Sequence, residues 1–242
     1  RHIVLLLFII CSSETFAQLN HKHYITKGRI DLSEEDYSEA ILNFNMAIIA
    51  KPNDFEAYFL RGIAKYSLND FTGAVNDFTK TLDLHPLYVR AYHYRGVSND
   101  QLGNYADAKK DYNKAIRLDP YDPELHIALG STKLHLNEFE EAIASFDTAL
   151  IISPSNANAY INRGVAKRFL NKLDDAVDDL NKAVYYDFFN IEALVRRGII
   201  QMEREKYEEA MIDFNNALKM DYENPIIYFN RGTVHLYMGD TI

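Results

Sequence analysis

Seven of the ten glycines stand at Gly28, Gly62, Gly96, Gly130, Gly164, Gly198 and Gly232, and every interval between them is 34 residues. A fixed period of this length means one supersecondary unit repeated along the chain, each copy burying its apolar face against the next. The rest of the unit keeps step. Twelve residues after each of the first six glycines stands an alanine (Ala40, Ala74, Ala108, Ala142, Ala176, Ala210). A large apolar residue follows four places on: Phe44, Phe78, Tyr112, Phe146, Leu180, Phe214. A small residue comes three places later: Ala47, Thr81, Ala115, Ala149, Ala183, Ala217. Four places before the glycine the residue is aromatic at Tyr24, Tyr58, Tyr92, Tyr160 and Tyr228, with His126 and Leu194 as exceptions.

Apolar spacing of three and four marks one face of a helix, so each unit reads as two helices. Short breakers divide them, as at Leu68-Asn69-Asp70, Leu102-Gly103-Asn104 and Leu136-Asn137-Glu138. Gly or Asn at the centre can adopt the left-handed conformation that ends a helix. Pro52, Pro86, Pro120 and Pro154 stop the second helix. Phe188 and Tyr222 replace proline in the fifth and sixth units, where the junctions are expected to be less sharply set. A glycine inside a helix costs about 1 kcal/mol against alanine. Its sevenfold use implies that two helices approach too closely there for a side chain.

Comparing the units with one another exposes a charge pairing. Where the residue before the glycine is arginine, the residue before the large apolar one is aspartate: Arg61 with Asp77, Arg95 with Asp111, Arg163 with Asp179, Arg197 with Asp213. Where it is Lys27 the partner is Asn43, and where it is Leu129 the partner is Ser145. The joint switching predicts Arg–Asp bridges between the two helices of one hairpin, partly buried and bidentate.

These motifs resemble the tetratricopeptide repeat: aromatic-x-x-Leu-Gly, then Ala-x-x-x-Phe, then Pro, over 34 residues. The resemblance covers everything after a short leader. It implies an all-α, right-handed α-solenoid of antiparallel helix hairpins, six repeats complete (21–54, 55–88, 89–122, 123–156, 157–190, 191–224) and one partial (225–242). The chain departs from the pattern by putting Arg or Lys before most glycines and by lacking the tyrosine three places after them. In the partial repeat Tyr228, Phe229 and Leu236 have no covering helix and Arg231 no aspartate. A continuation past Ile242 or an interface is the expectation there.

The resemblance further implies a partner-binding groove lined by the first helices. Its candidates are Phe59, Ile63, Tyr66, Arg90, His93, Tyr94, Val97, Ile127, Leu134, Ile161, Val165, Arg168, Phe169, Val195, Ile199 and Met202, with Arg29, Asp100 and Arg196 adding charge. Such a lining suits an apolar or amphipathic protein segment, unless packing between adjacent first helices consumes it. Family members that capture a peptide carboxylate use a Lys and Asn set. The matching places here hold Ile25, Arg29, Phe59, Ile63, His93 and Val97, so carboxylate capture is not expected.

Composition narrows the rest. A formal charge of -9 argues against a nucleic-acid partner. Ile3 to Cys11 is an apolar run too short to span a bilayer, behind a basic start and before Thr15-x-Ala17. It reads as a signal peptide (1–17) followed by a short lead-in (18–20), so an exported protein, periplasmic or extracellular, is expected. Lipidation of Cys11 is disfavoured because Ile10 is not small. Removal of the leader removes the only cysteine. No phosphate loop, nucleophile elbow or HExxH appears. The acidic pairs Glu140-Glu141, Asp174-Asp175 and Glu208-Glu209 fit helix starts better than a paired-carboxylate site. His93 and His135 sit at comparable places in neighbouring repeats, but two histidines do not complete a tetrahedral site. No metal or cofactor is expected. The reading is a non-enzymatic binding scaffold. The alternatives are a sensing or substrate-presenting arm of a longer enzyme or signalling protein, and a structural part of an envelope assembly.

Overall fold

The computed structural model describes residues 20–239, and all regular structure among them is helical. The expected leader, Cys11 within it and the start of the lead-in lie outside the described residues. The chain divides into two compact units between Pro120 and Tyr121.

The first unit holds α1 (20–33), α2 (Tyr37–Ala50), α3 (Phe55–Ser67), α4 (Phe71–Leu84), α5 (Val89–Gln101) and α6 (Tyr105–Leu118). The second holds α7 (Pro123–His135), α8 (Phe139–Ile152), α9 (Ala157–Phe169), α10 (Leu173–Tyr186), α11 (Ile191–Glu203), α12 (Tyr207–Met220) and α13 (Pro225–Met238). In each unit consecutive helices pack as hairpins, and each hairpin stacks on the next.

The turn inside every hairpin has one residue in the left-handed region: Glu35, Asn69, Gly103, Asn137, Asn171 and Glu205, with φ between 57 and 75°. Asn and Gly were legible as breakers. Glu35 and Glu205 were not, because glutamate pays for this conformation with a steric clash of about 1–2 kcal/mol. The geometry of the turn overrides that local preference.

The turns between hairpins correct one expectation. Those without proline are set as sharply as the others. The residue closing α10, Asp187, has φ -136° and ψ 88°, against -139° and 83° at His85 closing α4. Side chains substitute for the ring. Asn190 accepts from the Ala193 amide and donates to Asp187 Oδ2 at 2.9 Å. Asn224 and Asp221 repeat the arrangement.

The core follows the period. The alanines of both helices are fully buried, as are Phe44, Phe78, Phe146, Leu180 and Phe214. The recurrent glycines face these side chains. A Cβ on Gly62 would stand 2.7 Å from Phe78 Cε1, and one on Gly130 2.5 Å from Phe146 Cε1. Gly164 faces the narrower Leu180, and there the nearest atom, Ala176 O, is 3.3 Å away. On Gly232 a Cβ would meet nothing within 4 Å.

Candidate functional site

Two sets of polar and aromatic side chains recur, one inside the hairpins and one on the first-helix faces. The Arg–Asp bridges form the first. In every case the pair is bidentate. Arg61 donates from Nε to Asp77 Oδ2 at 2.9 Å and from Nη2 to Oδ1 at 2.6 Å. Arg95–Asp111, Arg163–Asp179 and Arg197–Asp213 repeat the fork. The aspartates are almost wholly buried and the arginines half-buried.

The remaining nitrogen, Nη1, reaches the second helix of the preceding hairpin. It meets Asn45, Thr79, Asp147 and Asn181 for Arg61, Arg95, Arg163 and Arg197. Each guanidinium therefore ties three helices. Three of the four also lie over the aromatic ring three residues earlier, Arg61 on Tyr58 at 5.5 Å, Arg95 on Tyr92 at 5.7 Å and Arg163 on Tyr160 at 5.4 Å. The column Asn45, Thr79, Asn113, Asp147, Asn181, Asn215 is polar in every repeat. That was the overlooked signal for the third bond. Burial works against the charge on Arg163. Its hydrogen bonds and charge attraction to Asp179, then Asp147, outweigh burial and raise its pKa above the ordinary value.

A lysine adds to the clamp in two repeats. Lys65 Nζ lies 2.8 Å from Asp77 Oδ2 and Lys167 Nζ 2.7 Å from Asp179 Oδ2. In the fourth repeat, where Leu129 and Ser145 replace the ion pair, Lys133 donates to Ser145 Oγ at 3.0 Å. In repeats two, four and five these groups are taken up by the hairpin itself.

The first-helix faces carry the groove candidates. In the first unit, α3 and α5 bring Phe59, Ile63, Tyr66, Arg90, His93 and Tyr94 together. Phe59 is buried, edge-on to Tyr88 at 4.9 Å and Tyr94 at 5.9 Å. Arg90 covers its outer side at 5.0 Å. Tyr66 meets Tyr94 at 6.1 Å, and His93 meets Tyr94 at 5.6 Å. Burial, then Tyr94, raises the Tyr66 pKa. Ile63 and Val97 are half-buried on the same two helices.

In the second unit Ile127 and Ile161 are core residues, and Leu134 packs against that core. Val165 is half-buried. Phe169 is 58% exposed and stacks on Phe139 at 4.8 Å. Arg168 forms a two-pronged pair with Glu203 of the next hairpin. Val195, Ile199 and Met202 pack partly into the core of the last hairpins. Phe59, Ile127 and Ile161 are thus interior supports of the face, whereas Phe169 and Arg90 present most surface. Glu203 was missed because nothing in the single-repeat pattern pairs α9 with α11. Among the described residues no group of three or more metal-binding side chains converges, and no helix is long and apolar enough to cross a membrane.

Comparison with known proteins agrees with this architecture. Family profiles described as tetratricopeptide repeat match residues 59–123, 101–161, 157–190 and 191–224. No curated protein matches the sequence. Among solved structures the chain is similar to PilF of Pseudomonas aeruginosa, at 14% identity and TM-score 0.73 over 90% of this chain and 99% of that one. It is similar to MamA at 25% identity and TM-score 0.62, covering 67% and 95% of the two chains. It is also similar to YrrB, described as a TPR protein with an unusual peptide-binding site, at 20% identity and TM-score 0.62 over 78% and 97%. With six hairpins of the same period, the same Gly-against-ring contact in five of them and profile matches across residues 59–224, the chain belongs to the tetratricopeptide repeat family.

Proposed function

We propose that this protein is a non-enzymatic, exported scaffold that binds a protein partner through the first-helix faces of its two units, taking an apolar or amphipathic segment. The observation that carries the reading is how surface is divided. The charged groups inside the hairpins are spent on one another, whereas α3, α5, α9 and α11 keep aromatic and aliphatic side chains partly open to solvent, fringed by Arg90 and the Arg168–Glu203 pair. Partly exposed apolar side chains on rigid helices, with a charged rim, are what a protein interface requires. The peptide-binding description of YrrB supports the same reading by analogy. Export rests on the apolar run before Thr15-x-Ala17.

Selection of a random peptide library on the folded chain tests it. Enriched peptides should carry apolar or aromatic residues at helical or alternating spacing. Phe169→Glu or Arg90→Glu should weaken them roughly tenfold, the effect of losing one well-placed contact. Enrichment of polar sequences indifferent to both changes contradicts the proposal.

A further inference from the structure

The lysine of the hairpin clamp recurs at a fixed place in three repeats, and of the three that lack it one puts nothing equivalent there. Lys65, Lys133 and Lys167 stand four residues after the clamp arginine or its replacement, and each points its ammonium at the residue before the large apolar side chain. Two also reach a main-chain carbonyl of the second helix, Glu141 O for Lys133 and Asp175 O for Lys167. The first repeat solves the problem with reversed polarity: Asn43 donates to Asp31 Oδ2 at 2.6 Å and to Glu39 O at 3.2 Å. In the sixth, Gln201 accepts from Arg204.

The third repeat places Asn99 there. Asn99 is 6% exposed, and its side-chain amide has no hydrogen-bond partner among the described residues. Asp111 keeps its bidentate bond to Arg95 and gains no ammonium. A cleft of about 330 Å³ opens at this point, lined by Val75, Thr79, Arg95, Asn99, Asp107, Lys110 and Asp111. Lys110 does not fill it as the clamp lysines do, for it is tied to Asp107 Oδ1 at 2.8 Å on the surface.

We propose that this cleft is a binding site for a primary ammonium group, held where the clamp lysine stands in repeats two and five. The acceptors are Asp111 Oδ2, the Asn99 side-chain oxygen and Asp107 O, the counterpart of the carbonyls that Lys133 and Lys167 reach. Three acceptors match the three donors of an ammonium, and a buried carboxylate supplies the charge-assisted bond. Val75 offers an apolar wall for an alkyl stem. The group can come from a free alkylamine or from the lysine side chain of a partner.

The test is thermal unfolding and NMR of the whole chain with n-butylammonium, the amide of Nα-acetyl-lysine, tetramethylammonium and n-butanol, each at the same concentration. The expected result is that n-butylammonium raises Tm by about 2 °C more than tetramethylammonium or n-butanol and shifts the Asn99 side-chain amide signals. Asn99→Lys should raise Tm without ligand and abolish both responses. Acetyl-lysine amide acting as strongly as n-butylammonium identifies a lysine side chain as the ligand, and acting more weakly identifies a free amine. Equal effects of n-butylammonium and tetramethylammonium, or a response that survives in Asn99→Lys, overturn the proposal.

Discussion

Repeats four and five are neighbours in one unit and share a period, yet they lock their hairpins differently. In repeat four the pairing positions hold Leu129 and Ser145, and Gly130 is pressed against the ring of Phe146. In repeat five Arg163 forks onto Asp179, Lys167 joins them, and Gly164 faces Leu180 less tightly, the nearest atom to an added Cβ standing 3.3 Å away. One hairpin leans on a ring packed into a backbone notch, the other on a buried ionic cluster with looser packing. Both produce the same turn, with Asn137 at φ 60° and Asn171 at φ 57°. The hairpin geometry is thus over-determined, and either device suffices.

The sharpest break in this comparison is removal of the carboxylate. Asp179→Ala strands two cations beside a site that is 2% exposed and should cost about 3–5 kcal/mol. Ser145→Ala in repeat four should cost about 1 kcal/mol. Urea unfolding of both variants measures the gap. Grafting repeat four's pair onto repeat five, with Arg163→Leu and Asp179→Ser together, should recover most of the loss, because Lys167 then meets a serine as Lys133 does.

The glycines invert the order. Gly130→Ala should cost about 2–3 kcal/mol, since the Phe146 ring must move out of a close-packed site. Gly164→Ala should fall within about 1 kcal/mol of neutral, the helix-propensity gain offsetting a slight squeeze. Combining Gly130→Ala with Phe146→Leu should restore much of the loss, measured by the same unfolding curves.

The smallest effect concerns the turns. Glu205→Gly should stabilise by about 1 kcal/mol, because glycine adopts its φ of 61° freely. Asn171→Gly should gain less, asparagine being tolerant there already. Differential scanning calorimetry resolves the two.

An alkaline titration separates ring from ion in another way. Burial, then Asp100, raises the Tyr112 pKa above its ordinary value of 10.0. A raised folded pKa stabilises fully below pH 10, and that contribution is lost as pH climbs above it, by up to about 1.4 kcal/mol per pH unit. Tyr112→Phe should flatten the fall in stability above pH 10, and a phenylalanine repeat such as the fourth offers no such group.

These contrasts also mark what was legible in the sequence. The period, the hairpins, the glycine contacts and the Arg–Asp pairs could be read because a repeat compares itself with its neighbours, and covarying positions such as Arg163 with Asp179 report contact directly. The proline-free junctions were misjudged because Asn190 and Asn224 cap and brace their turns, a role that a breaker count does not see. Phe59, Ile127 and Ile161 looked like groove lining because helical spacing alone does not separate the buried edge of a face from its exposed centre. The Arg168–Glu203 pair joins two hairpins, and no rule internal to one repeat contains it.

The claim that most needs testing is that partners meet the first-helix faces. A photo-crosslinking amino acid placed at Phe169 or Val97, and separately at Ile212 or Leu42 on second helices, would be activated in the cells that make the protein. The account expects the first-helix positions to capture the same discrete protein and the second-helix positions to capture none. Equal capture from both, or capture from Ile212 and Leu42 alone, would contradict it.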